Sequence, residues 1–103
     1  MSLTIFKKGQ PIVLGIKKAS GLSKIKAEDF TLKLAYTYDP LTEKELDVKV
    51  IDDDPYWWTE PFYLFKEADY IFHWINDNAS IDYKQRIRVS DEYFDGDDSD
   101  IMV

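Results

Sequence analysis

The chain predicts an all-β fold, an antiparallel sandwich of about seven short strands in one domain. Three observations carry this. Apolar residues recur with a period of two in several segments, which is strand alternation rather than helical spacing. Aromatic residues make up 16% of the 103 residues, and rings favour a pleated surface. Proline, aspartate and asparagine clusters separate the alternating runs at close intervals.

The most aromatic run is Glu67 to Ile75. Tyr70, Phe72 and Trp74 fall on one strand face, and Ile71, His73 and Ile75 on the other. Neither face is fully polar, so this strand is expected to be central or to have its second face covered by a partner.

Taken in order, residues 1–9 read as a lead-in and residues 10–90 as the sandwich domain. Pro11 to Ile16 is a first strand with Ile12, Leu14 and Ile16 on one face. Residues 23–29 read equally as a helical turn or as a loop with Ile25 plugging the core. Phe30 to Tyr38 alternates closely: Phe30, Leu32, Leu34, Tyr36 and Tyr38 against Thr31, Lys33, Ala35 and Thr37. Asp39 to Lys44 is a connection, because Asp-Pro favours a turn. Glu45 to Ile51 is the next strand, with Leu46, Val48 and Val50 inward.

Asp52-Asp53-Asp54-Pro55 is a break. The prolines on either side of Tyr56 to Glu60 point to an edge strand or an extended loop. Asn76 to Ser80 is a turn. Ile81 to Ser90 then forms a hairpin with the Tyr70 strand, turning Ile81, Tyr83, Gln85, Ile87 and Val89 one way. Residues 91–103 are acidic and are expected to be a disordered tail. Its apolar Ile101-Met102-Val103 reads as a docking strand for a sheet edge or as a frayed end.

Leu64 stands six residues before Tyr70, across a polar, turn-like segment. Leucine followed by a tyrosine that enters a strand resembles the tyrosine corner of immunoglobulin-like and fibronectin III-like sandwiches. The resemblance implies that the Tyr70 hydroxyl bonds to backbone just upstream. It does not extend to the antibody disulfide: the chain has no cysteine, and Phe72 stands where one would lie. A small, cysteine-free single sandwich also resembles the accessory immunoglobulin-like proteins of bacteriophage particles. That likeness implies a structural or assembly role in a tail, neck or head. Its expected place is the cytoplasm during assembly, or the virion.

The formal net charge is −7. Residues 1–38 carry +5 and the remainder −12. Such polarity favours head-to-tail contact with a second copy, or docking on partners of opposite charge. The overall sign disfavours nucleic acid. No run is long enough to span a bilayer, and none reads as a signal peptide.

No catalytic constellation is present, so the protein is expected not to be an enzyme. His73 is the single histidine; it has neither a thiol nor a second imidazole to work with. Asp52-Asp53-Asp54 offers clustered oxygen ligands of the kind calcium takes but reads as solvated turn acids, Asp95 to Asp100 fails the calcium-loop pattern, and zinc lacks ligands, so no metal or cofactor is expected. The candidate binding residues are Tyr56, Trp57 and Trp58, together with Ile71, His73 and Ile75 on the outer face of the Tyr70 strand. Neighbouring tryptophans on a strand point opposite ways, so one of the pair is expected outside. Lys84, Arg86 and Arg88 form a basic stripe and a candidate charged contact. The expected function is protein binding or self-association in an assembly. The alternative is a carbohydrate-binding module that stacks sugars on an exposed tryptophan.

Overall fold

The computed structural model describes residues 3–19 and 25–91. Within them the chain forms eight strands in two sheets. The larger sheet holds β1 (Thr4–Lys7), β8 (Ile81–Ser90), β7 (Ala68–Asn76), β3 (Thr31–Tyr36) and β4 (Asp39–Glu45), in that spatial order. The smaller holds β2 (Gly15–Lys17), β6 (Tyr56–Thr59) and β5 (Val50–Asp53). Every pairing is antiparallel except that of β1 with β8.

One apolar core lies between the sheets. The larger sheet contributes Leu32, Leu34, Tyr70, Phe72, Trp74, Ile87 and Val89, and the other side contributes Ile12, Leu14, Trp57 and Phe62. Tyr70, Phe72 and Trp74 are all inward, at 4%, 0% and 0% exposure. Period-two spacing puts three large rings on one face, and rings of this size bury about 150–250 Å² each and dominate core energetics. Phe30 bridges the sheets edge-on, with its ring 4.9 Å from Trp57 and 5.7 Å from Trp74.

Two polar contacts fix the halves. The Trp74 indole N–H donates to Gln85 Oε1 at 2.8 Å, and Gln85 Nε2 donates to the Gly15 carbonyl at 3.2 Å. A glutamine in an inward row is thus satisfied on both ends and ties β8 to β2 across the core. At the other end, the Tyr70 hydroxyl donates to the Lys66 carbonyl at 2.6 Å, which is the upstream backbone bond that Leu64 and Tyr70 implied.

The structure corrects several element assignments. Asp39 to Lys44 is a strand, not a connection: β4 pairs with β3 as a hairpin edge. Glu45 to Ile51 is not one strand. Leu46 and Val48 do turn toward the core, but from an irregular stretch between β4 and β5. The Tyr56 strand is central in its sheet rather than an edge. Pro55 and Pro61 lie just outside it and remove no ladder bond. Residues 4–7 of the expected lead-in form β1, beside β8. In the 23–29 stretch, Ala27–Asp29 is a single 3-10 turn. The expected acidic tail lies, from residue 92 on, outside the described residues.

The turn at residues 76–80 and the hairpin after it form as expected. Asn76 Oδ1 accepts from the Asn78 N–H at 3.1 Å, and Ser80 closes the turn at φ 54°. β7 and β8 then pair from Asn76–Ile81 to Ala68–Val89.

Candidate functional site

The predicted binding residues do not form one surface. Tyr56 and Trp58 lie on the outer face of the smaller sheet. Ile71, His73 and Ile75 lie on the outer face of the larger one, on the opposite side of the molecule. Trp57 belongs to neither: at 1% exposure it is core. Strand alternation sends Trp57 inward and its neighbours outward, as the Trp-Trp argument required for one of the pair.

On the larger sheet, His73 is held on both sides. Its Nδ1 lies 2.9 Å from Glu43 Oε2, and its Nε2 meets Asp82 Oδ1. The side chain therefore ties β7 to β4 and β8 and is 10% exposed. In register, Lys33 and Lys84 flank it, and Arg86 lies beside Ile71. Arg88 is committed to Asp69 through a fork, Nε to Oδ1 at 2.6 Å and the second nitrogen to Oδ2 at 3.1 Å. These pairs lower the carboxyl pKa of both acids, through the hydrogen bond from Arg88 onto Asp69 and from His73 onto Asp82. The face is thus a cross-strand charge lattice that largely satisfies itself.

The smaller sheet differs. Its outer face carries two rows. Gly15, Trp58 and Ile51 are aligned in one; Lys17, Tyr56 and Asp53 in the next. Trp58 fills the space left by the missing Gly15 side chain, and the Tyr56 ring lies 5.3 Å away at 33°. Tyr56 is 37% exposed, Val13 44% and Ile51 47%. A lysine stands at one edge of this apolar strip and an aspartate at the other.

Gly15, Lys17, Ile51, Asp53 and Val13 were not among the sequence candidates. One signal was present: a glycine inside an apolar strand run marks a close approach by another group. Nothing in the sequence said which ring would approach.

Among the described residues, several of the early lysines stand beside acidic neighbours on both sheets. Lys18 pairs with Asp52 and Asp54, Lys33 stands opposite Glu45, and Lys8 faces Asp91. Among the described residues no group of three or more histidine, cysteine, aspartate or glutamate side chains is placed to hold a metal. Among the described residues no helix is long and apolar enough to cross a membrane.

No protein-family model matches the chain, and no curated protein matches it either.

Proposed function

We propose that the protein is a non-enzymatic binding module on an immunoglobulin-like sandwich, and that it associates with a second copy through the outer face of the smaller sheet. The strand order, the parallel β1–β8 contact and the Tyr70–Lys66 bond support the immunoglobulin-like reading.

The row Lys17, Tyr56, Asp53 carries the functional reading. A twofold axis parallel to the strands sets Lys17 of one copy over Asp53 of the other, twice. The same operation stacks Tyr56 and Trp58 on their own counterparts at the centre. A twofold axis across the strands would set like charges together, so the face selects one orientation. Strands about 4.8 Å apart, rising about 3.3 Å per residue, give a footprint well below the roughly 800 Å² per partner of a standard interface. The contact is therefore weak, and because the twofold axis uses the same face of both copies it closes at a dimer. The role in a bacteriophage particle follows from the likeness in type and size, and the genes flanking this one would test it.

Sedimentation velocity across a concentration series tests the association. Lys17→Asp alone and Asp53→Lys alone should each abolish it by opposing like charges. The double exchange should restore it. A strict monomer at every concentration, or a double exchange that stays monomeric, overturns the reading.

The paired rings of Tyr56 and Trp58 favour one second reading, a sugar-stacking platform. Glycan titration followed by tryptophan emission separates the two. Quenching that Trp58→Ala removes, in a chain that stays monomeric, supports the carbohydrate reading.

A further inference from the structure

A groove of about 500 Å³ opens at one end of the molecule, between the β3–β4 hairpin and residues 63–66. Tyr36, Tyr70, Leu64 and Phe65 form its apolar walls, and Lys44 and Lys66 also line it. Phe65 is 72% exposed and Tyr63 51%, with their rings stacked at 6.5 Å. Lys66 Nζ sits 4.7 Å over the Tyr36 ring. Uncovered rings beside ammonium groups suit an anionic segment that also carries apolar side chains.

We propose that this groove takes residues 92–103 of the same chain, with Tyr93 and Phe94 entering among the rings and the acids facing Lys44 and Lys66. Those residues lie outside the described part of the structure and enter by sequence alone. Three observations select this occupant.

The first is where the described chain ends. The Asp91 N–H donates to Glu67 Oε1 at 3.0 Å, and Glu67 is the neighbour of the groove-lining Lys66. A second groove, lined by Thr37, Tyr38, Lys66 and Glu67 among others, adjoins at that lysine. Tyr93 and Phe94 stand two and three residues beyond Asp91, within a span of about 10 Å. The second is charge. Glu92, Asp95, Asp97, Asp98 and Asp100 meet a groove lined by two lysines. The competing basic stripe on β8 is less available, because Arg88 is already paired with Asp69. The third is tethering. A segment that starts beside Glu67, the neighbour of the groove-lining Lys66, has an effective concentration in the millimolar range, which a separate copy reaches only in dense assemblies.

The experiment uses the whole chain. It has no cysteine, so Ser99→Cys gives a single attachment point for a nitroxide spin label. Amide NMR should show the Thr42, Lys44, Phe65 and Lys66 signals broadened, relative to those of residues 76–81 at the far end of the β7–β8 hairpin. Adding Tyr93→Ala and Phe94→Ala should reduce that broadening at least twofold, and high salt should weaken it. Amide shifts of the β7–β8 hairpin that match the parent would show the fold intact, so a change at the groove reports docking. Broadening that does not favour the groove overturns the proposal. So does broadening that appears only when labelled copies are mixed with isotope-enriched unlabelled ones, since that places the segment on a neighbour.

Discussion

Trp58 packs directly against the backbone of Gly15, its partner across the β2–β6 ladder. A Cβ added to the glycine would stand 2.3 Å from Cε3 of the indole. The ring supplies the cover that glycine lacks, and the glycine supplies the space that the ring needs. Gly15→Ala should therefore push Trp58 off the sheet and destabilise the fold by about 1–3 kcal/mol. In a Trp58→Ala background the same alanine should cost much less. Denaturant unfolding of the four variants reads the coupling, and additive costs would show that the two residues act independently.

Tyr70 locks the end of the sandwich through its hydroxyl. The side chain is 4% exposed and bonds to the Lys66 carbonyl. Tyr70→Phe keeps the ring and removes only that bond, so the expected cost is about 1 kcal/mol. The unfolding midpoint should fall while the denaturant slope stays constant.

Gln85 joins the two sheets. Replacing it with leucine leaves the fully buried Trp74 indole N–H without its acceptor and the Gly15 carbonyl without its donor. An orphaned buried donor costs about 1–3 kcal/mol, so Gln85→Leu should destabilise despite its added apolar surface. Thermal unfolding checks this, and a gain in stability would show that the polar bridge contributes nothing net.

Stability should depend on pH at both ends of the scale. Asp69 and Asp82 are held below the ordinary carboxyl value of 3.8, by the hydrogen bond from Arg88 and from His73 respectively. Their contribution is present above that value and is lost as pH falls through the lowered folded values. Asp69→Asn and Asp82→Asn should each flatten the acid limb of a stability–pH curve. Lys18 behaves in the opposite sense. Its hydrogen bond to Asp52, with Asp54 adding to it, raises its pKa above 10.5. That contribution is complete below 10.5 and fades as pH rises through the folded value, so Lys18→Met should flatten the alkaline limb. Curves that match the parent at both extremes would show that these pairs carry no linkage.

Much of the core was legible residue by residue. Tyr70, Phe72, Trp74, Leu32, Leu34, Ile87 and Val89 follow from alternation alone, because a strand with one buried face has no other way to place them. The upstream bond of Tyr70 was legible too, since it is local. β4 was not legible. Its sequence, Asp39 to Glu45, is polar and mostly exposed, so no periodicity marks it, and its strand character comes from pairing with β3. β1 was missed for a related reason: its partner β8 lies some eighty residues away, with nothing local to signal it.

What the sequence determined by itself is which side of each strand is apolar and where the chain must turn. Those properties depend on neighbours one or two residues away. Only the tertiary structure decided which strands share a sheet. That placed Tyr56 and Ile71 on opposite faces, sent Trp57 into the core, and set Lys17 and Asp53 on either side of Tyr56. Pairing across a ladder joins residues far apart in the chain, and alternation within one strand carries no record of which partner it will meet.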